Sequence, residues 1–188
     1  MLGIQMNVSG KIQKNGEWAN ASKEEIKKYC ILNEEDLVNY KYQLLSLSTL
    51  SGISEIDVRL YLADKGELKG KETIFMKAAE ENVVNEIYLM AHACLETGNG
   101  TSKLATGVKY KGVQVYNMFV IKATDENPVK QGAAYAYKMG WTTPEKAILD
   151  GYISEQYSNH KEYQQDTLYK MRWNPNSPGT HQYASDIK

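Results

Sequence analysis

Residues 85–100 read NEIYLMAHACLETGNG, a stretch with the pattern of a single helix whose two ends are both marked. Asn85 is a good helix N-cap, because its side-chain oxygen can accept a hydrogen bond from a free backbone N–H. Gly98 and Gly100 can adopt positive φ, so the helix is expected to end just before them. Apolar residues recur between these limits at spacings of three and four, which predicts one buried face. That face is Ile87, Met90, Ala91, Cys94 and Leu95.

Glu96 is the acidic residue in the last turn of this predicted helix. The exposed carbonyl groups of a helix C-terminus repel negative charge, which favours the protonated form of a carboxyl group placed there. Cleavage of a glycosidic bond needs such an acid, because the leaving oxygen must receive a proton. A Glu at a helix end is more often an ordinary solvated surface residue. The rest of the sequence must therefore show whether Glu96 has a catalytic role.

The composition limits the classes of function. The chain has 188 residues, enough for one domain with a real core or for one domain with a small appendage. Its net charge of −1 gives no indication of nucleic acid as a partner. The 14 Tyr and 3 Trp, against 2 Phe, suit a wet groove in which aromatic rings stack on sugars or peptides. Cys30 and Cys94 lie in apolar helical patterns and are expected to be free, buried thiols.

Neither a membrane span nor a metal site is indicated by the sequence. No run of apolar residues is long enough to cross a bilayer, and no HExxH or other zinc-ligand spacing occurs. The first residues, MLGIQMNVSGK, lack the layout of a signal peptide. We therefore expect either an intracellular protein or a domain excised from a longer one.

The remaining local signals predict a mostly helical chain with one small β element. Three capping patterns predict helix starts: Ser22 with Glu25, Asn33 with Asp36, and Ser54 with Asp57. The second of these helices is expected to run to Leu45. Further helices are predicted at about residues 73–81, 131–139, 144–157 and 167–173. Residues 108–116 alternate in polarity about a Lys-Gly turn, which predicts a hairpin followed by extended chain at residues 117–123. Residues 1–20 are expected to form a short strand or a loose arm.

Five blocks of sequence occur in order between Lys69 and Ile187: ETGNGTS, YNMF, AAYAYKMGWTTPEKAI, TLYKMRWNP and PGTHQYASDI. Together they resemble the glucosaminidase domain of bacterial autolysins, the endo-β-N-acetylglucosaminidases of Gram-positive cell walls. The resemblance implies an α+β, mostly α fold, namely a lysozyme-like two-lobed domain with a small β-hairpin flap beside the substrate groove. It also implies a catalytic core at residues 69–188, on which residues 1–68 pack as an N-terminal helical extension.

Three catalytic residues are implied by the resemblance. Glu96 matches the Glu of the family's ETG motif and is expected to be the general acid. Asp125 matches an acidic residue that follows the family's flap stretch, and Tyr183 matches a Tyr near the end of the family domain. This sequence departs from the family in the flap, where Val120 and Lys122 stand in place of two glycines and add bulk and stiffness.

Other positions are predicted to contact substrate: Asn99, Tyr116, Asn117, Phe119, Glu126, Tyr169, Trp173 and Asp186. Several alternatives stay open. Asp125 can be a plain turn-former with Glu126 as the second acid instead, and the aromatic side chains can serve as core or boundary packing. His92, four residues before Glu96, shares its helix face and either tunes that carboxyl group or is a hydrogen-bonded structural histidine.

The expected activity is that of a glycoside hydrolase that cleaves the β-1,4 bond between N-acetylglucosamine and N-acetylmuramic acid in peptidoglycan. The expected partner is the peptidoglycan glycan strand, with no nucleic acid, membrane insertion, cofactor or metal. The protein is expected to be a monomer, secreted and associated with the cell wall. The alternatives are a muramidase or lytic transglycosylase on the same fold, and a catalytically silent wall-binding module. The mechanism can be inverting, retaining or assisted by the substrate's acetamido group.

Overall fold

The computed structural model of this chain describes residues 2–8, 10–124, 126–151, 163–183 and 185–187. Contacts within the chain divide it into two compact units, one formed by Met1–Leu47 with Ser158–Lys188 and the other by Ser48–Tyr157. The sequence instead predicts a catalytic core at residues 69–188 and an extension at residues 1–68, a division by function and not by contacts. Contacts do not test a division by function, so this division stays a prediction.

The described elements are mainly helices, joined by two short antiparallel hairpins. In chain order they are α1 (Leu2–Gln5), β1 (Lys11–Lys14), β2 (Glu17–Asn20), α2 (Lys23–Cys30), α3 (Glu34–Asn39), α4 (Glu55–Leu62), α5 (Glu72–Asn82), α6 (Glu86–Glu96), α7 (Lys103–Thr106), β3 (Val108–Tyr110), β4 (Val113–Val115), α8 (Pro128–Met139), α9 (Pro144–Gly151) and α10 (Leu168–Trp173). Two 3₁₀ turns, Lys41–Leu44 and Gly66–Leu68, complete this set. The predicted α+β, mostly α class with a small β-hairpin is confirmed.

Side-chain caps begin the early helices where the sequence predicts them. Ser22 and Glu25 form a reciprocal capping box at the start of α2, with hydrogen bonds of 3.2 and 2.8 Å. Asn33 and Asp36 form a second box at α3, and the Ser54 hydroxyl caps α4. Each cap satisfies backbone donors that the first turn of a helix leaves without an internal partner.

The Ser48–Tyr157 unit has the larger core. Its biggest fully buried side chains include Leu62, Phe75, Leu89, Met118, Trp141 and Ile148. Burial of each such side chain stabilises the fold by about 1.5–3 kcal/mol relative to leaving it in water. Helix α5 packs against α4, α6 and α9, while the β3–β4 hairpin packs on α8. This packing fixes α6, the helix that ends at Glu96.

The other unit has a small core of its own, formed by Ile12, Ile26, Cys30, Trp173 and Ile187. Strand β1 pairs with β2 along four residues. The C-terminal segment joins the same strand, because the Lys11 N–H donates to Ser185 O at 2.7 Å and the Ile187 N–H donates to Lys11 O at 3.0 Å. The predicted free, buried cysteines are confirmed, with Cys30 in this core and Cys94 in the other.

The predicted apolar face of α6 is only partly correct, because Met90 and Cys94 are buried but Ala91 is exposed. Ile87 and Leu95 are 49 and 77% exposed, whereas Leu89 and Ala93 are fully buried. The helix is rotated because two polar side chains, Glu86 and His92, are turned inward and find partners there. Hydrophobic spacing alone does not reveal such partners.

Several boundaries also differ from prediction. Helix α3 stops at Asn39, and neither it nor the following 3₁₀ turn buries a residue. Residues 1–20 contain a helix and a hairpin instead of one strand or a loose arm. Residues 117–123 are not extended, since Val120 and Lys122 adopt φ of 53 and 58°. The predicted helix over 144–157 is seen as α9, and its last residues lie outside the described part.

Across the described residues, no helix combines the length and apolar character that crossing a membrane requires.

Candidate active site

Helix α6 is anchored firmly at its N-terminal end. The Asn85 side chain accepts hydrogen bonds from the N–H groups of Ile87 and Tyr88, at 3.1 and 3.2 Å. Glu86 is buried, and its carboxylate accepts the N–H groups of Ser51 and Gly52 at 2.6 and 3.1 Å. Burial by itself raises the pKa of Glu86, but these backbone hydrogen bonds outweigh it and hold the pKa below its ordinary value.

The C-terminal end of α6 is held by Thr97, which is fully buried. Its hydroxyl donates to Ala93 O at 2.5 Å and accepts the Gly100 N–H at 2.8 Å. The Asn99 N–H donates to Cys94 O at 2.7 Å, and Asn99 itself has φ of 57°. Thr97 therefore holds this loop through its side chain, whereas Asn99 holds it through its backbone. Its exposed side chain leaves the predicted substrate contact open as a prediction.

The 3₁₀ turn Gly66–Leu68 packs against the turn that follows Glu96. The Glu67 N–H donates to Gly100 O at 3.1 Å. Gly66 and Gly100 have φ of 47 and 75°, and a Cβ on either would collide with a backbone carbonyl of the opposite turn. Glycine is therefore required at both positions, because the two backbones meet directly. The turn after Glu96 is rigid as a result.

Glu96 is the last residue of α6, and its side chain is 29% exposed. Its Oε1 lies 3.4 Å from Nε2 of His92, whose side chain is only 3% exposed. The His92 ring stacks on Tyr88 at a centroid distance of 5.7 Å and an interplanar angle of 24°. It also lies 5.7 Å from the ring of Phe119, at 49°. The predicted acid is thus reachable from solvent on one side and held by a buried, tightly packed histidine on the other.

The segment after the hairpin is organised by Asn117, which is fully buried. Its amide donates to Ile121 O at 2.9 Å and to Gly132 O at 3.3 Å, and its oxygen accepts the Ile121 N–H at 3.0 Å. Phe119 is 2% exposed and packs against His92. Both residues therefore shape the loop from within, and their predicted contact with substrate stays a prediction.

The two positions where the sequence departs from the family pattern carry unusual backbone. Val120 and Lys122 both adopt the left-handed region, with φ of 53 and 58°. This region is readily populated by glycine, costs most other residues about 1–2 kcal/mol, and is a genuine outlier for a β-branched residue such as Val. The loop keeps a conformation suited to glycine although it contains none at these positions.

The remaining predicted residues of the Ser48–Tyr157 unit are placed as follows. Tyr116 is half-buried, and its N–H donates to Trp141 O at 2.9 Å. Glu126 is exposed. Asp125, the predicted second acid, lies outside the described residues. The choice between Asp125 and Glu126 therefore stays open.

Four predicted residues belong to the other unit. Trp173 is 3% exposed in its core, and the half-buried Tyr169 donates to Cys30 O at 2.6 Å. Tyr183 is 43% exposed and donates its backbone N–H to Met171 O at 2.9 Å. The backbone of Asp186 forms a parallel β-bridge with that of Lys11 in β1. The structure gives Trp173 and Tyr169 packing partners within their own unit, and the predicted site roles of all four stay predictions.

Sequence reasoning missed the aromatic surroundings of His92. Tyr88 lies four residues before it on the same helix, a spacing that could have been noticed. Phe119 is 27 residues away, and nothing local signals the contact. No cluster of three or more His, Cys, Asp or Glu side chains suited to a metal ion is found within the described ranges.

Cys94, two residues before Glu96, is not set up as a nucleophile. Burial raises the pKa of its thiol, and this effect exceeds the opposing hydrogen bond from Tyr61 and the charge of Lys65. The carboxyl group of Glu96, by contrast, is partly exposed at this helix end. A partly exposed carboxyl on a rigid turn can transfer a proton to a bound oxygen with little reorganisation.

Comparison with known proteins identifies relatives along almost the whole chain. A family model described as mannosyl-glycoprotein endo-beta-N-acetylglucosaminidase, the glucosaminidase family, matches residues 72–188. A beta-N-acetylglucosaminidase of Bacillus subtilis (strain 168) is 47% identical over 184 residues, which cover 96% of this chain. This chain spans only 21% of the length of that relative.

Solved structures agree with this likeness. The crystal structure of S. aureus glucosaminidase B matches with a TM-score of 0.82 and 40% identity, covering 100% of this chain and 77% of that one. A catalytic mutant of S. aureus autolysin E in complex with the disaccharide NAG-NAM matches with a TM-score of 0.77 and 37% identity, covering 99 and 82% of the two chains. The fold and its helix-rich architecture are therefore shared with both.

Proposed function

Because this chain belongs to the glucosaminidase family, whose model matches residues 72–188, we propose that it is an endo-β-N-acetylglucosaminidase acting on peptidoglycan. The bond cleaved is the β-1,4 bond between N-acetylglucosamine and N-acetylmuramic acid, and the product carries N-acetylglucosamine at its new reducing end. The binding of the disaccharide NAG-NAM by the related autolysin E supports this choice of substrate.

The placement of Glu96 is the observation that carries the proposal. It ends α6, is 29% exposed, and directly precedes the turn held by Thr97. Glu96 donates its proton to the glycosidic oxygen as the bond to the sugar breaks, and the leaving sugar departs as a neutral alcohol. A positioned general acid of this kind contributes roughly 100- to 10,000-fold to a rate.

The second step needs a group that supports attack on the sugar. We assign it to Asp125, with the exposed Glu126 as its alternative. A carboxyl group about 5 Å from the acid acts as a nucleophile, one about 6.5–9.5 Å away activates water, and attack by the substrate's acetamido group leaves it a lesser role. Tyr183, which is 43% exposed, keeps the catalytic role that the family resemblance implies.

Mass spectrometry of muropeptides released from purified sacculi tests the reaction. After borohydride reduction, N-acetylglucosaminitol ends support the proposal. Muramitol ends would instead indicate a muramidase, and anhydromuramic acid ends a lytic transglycosylase. Binding to sacculi without released fragments, equal for wild type and Glu96→Gln, would indicate a silent wall-binding module.

The setting follows from the substrate. We infer that the protein is secreted and acts at the cell wall, where the glycan strands are, and that it works as a monomer without cofactor or metal. Fractionation of cells followed by immunodetection tests the location. Light scattering of the purified protein tests the oligomeric state, and a dimer mass would contradict that part of the inference.

A further inference from the structure

His92 and Glu96 form a close pair on one face of α6, and the two side chains differ in burial. The histidine side chain is 3% exposed and the glutamate side chain 29%. Residues four apart on a helix face the same way, so the two side chains meet without any movement of the backbone. The Nε2–Oε1 distance of 3.4 Å is slightly longer than an ordinary N–H···O bond. Catalytic contacts often have this length before substrate binds and shorten in the complex.

The imidazole ring cannot turn away from Glu96 without losing its packing. Tyr88 stacks on it at 24°, and Phe119 meets it at 49°, each with its centroid 5.7 Å away. Phe119 is itself held by the loop that Asn117 closes with three hydrogen bonds. Rotation of the ring would open a gap in a closely packed region, which is costly. The packing therefore holds the plane of the ring beside Glu96.

We propose that His92 is a positioning residue for Glu96, donating its Nε2–H to Oε1 so that the transferable proton resides on Oε2. This inference rests on the proposed function. An oxygen that accepts a hydrogen bond from a nitrogen is a poor site for the acidic proton, so Oε2 carries it and faces the substrate. The Nε2–H proton stays on His92, and only Glu96 exchanges a proton with the substrate. After transfer, the same donor stabilises the carboxylate that remains.

A matched pair of substitutions separates the donor from the ring. His92→Gln and His92→Met have side chains of nearly equal length, and both remove the ring that packs on Tyr88 and Phe119. Only Gln keeps an N–H group that can reach Glu96 Oε1. Both proteins are assayed on purified sacculi at a temperature below their measured unfolding transitions. The initial rate is followed against wall concentration to separate kcat from KM.

The expected result is a difference in kcat between these two variants. His92→Met should lower kcat by about 10- to 100-fold because the acid is misplaced, while its KM stays within about twofold of wild type. His92→Gln should recover most of that loss. In a Glu96→Gln background the two substitutions at position 92 should give equal residual rates, since there is no acid left to position.

Equal kcat for His92→Gln and His92→Met in the presence of Glu96 would overturn the inference and leave His92 as a packing residue. So would a further loss on adding His92→Met to Glu96→Gln. Neither result affects the proposed function, which fails on different evidence: the wrong reducing end in the released muropeptides, or a Glu96→Gln protein as active as wild type.

Discussion

Replacing Thr97 by Val removes one hydroxyl from the turn behind Glu96 while keeping the shape of the side chain. The hydroxyl donates to Ala93 O and accepts the Gly100 N–H, and both Thr97 and Gly100 are buried. Ala93 O keeps a partner, because the Thr97 backbone N–H also donates to it at 3.1 Å. The Gly100 N–H has no second acceptor among the described residues, so it is left buried and unpaired.

The cost can be estimated from these contacts. Loss of a net hydrogen bond costs about 1 kcal/mol, and leaving a buried donor unpaired costs about 1–3 kcal/mol. The apolar gain of a buried Val methyl offsets part of this, at about 0.8 kcal/mol. We expect the free energy of unfolding to fall by about 2 kcal/mol, which corresponds to a melting temperature lower by about 4–8 °C in a chain of this size.

Thr101→Val provides the matched control, because Thr101 lies in the same turn and donates its hydroxyl to Gly98 O at 2.7 Å, but is exposed. Water can replace that hydrogen bond, so its melting temperature should change by about 1 °C or less. Thermal unfolding followed by circular dichroism measures both proteins. Equal losses for Thr97→Val and Thr101→Val would refute the argument that the buried hydroxyl holds this turn.

Three further predictions concern a buried carboxylate, two residues with positive φ and the two buried cysteines. Glu86→Gln should lower the free energy of unfolding measured in urea near pH 7, because the lowered pKa of Glu86 means that its charged form stabilises the fold. The difference from wild type should shrink as the pH falls below about 4.3, and a difference that does not change with pH would contradict this. Val120→Gly and Lys122→Gly should each raise the melting temperature by about 1–4 °C through relief of a positive φ, and a decrease at both positions would contradict the assigned strain. Cys30 and Cys94 should react with a thiol reagent only on unfolding, because burial raises both pKa values, and fast labelling of the folded protein would contradict it.

Features set by neighbours in sequence were predictable. The caps at Ser22, Asn33 and Ser54 depend on a side chain and a backbone group three residues apart, so the sequence contains everything needed to place them. The end of α6 at Glu96 follows in the same way from the glycines after it. Resemblance to a family then gave this Glu a role that its position alone could not give.

Features set by distant contacts were not predictable. Glu86 is turned inward by the N–H groups of Ser51 and Gly52, and this rotates the whole helix relative to its apolar pattern. The extended segment expected after the hairpin is instead folded back by Asn117, whose partners include Gly132 O. Hydrophobic periodicity reports burial only when polar side chains stay outside, and here two of them do not.

The rate at which Glu96→Gln releases reducing ends from purified sacculi tests the central claim most directly. Gln keeps the size of the side chain and cannot deliver a proton, so the rate should fall by at least about 100-fold while thermal unfolding is unchanged. Glu81→Gln is the control, since Glu81 is a half-exposed residue of α5 that pairs with Lys77 at 3.7 Å in its own helix. Its rate should equal that of wild type. A Glu96→Gln protein that folds normally and releases reducing ends at the wild-type rate would contradict the assignment of Glu96 as the general acid.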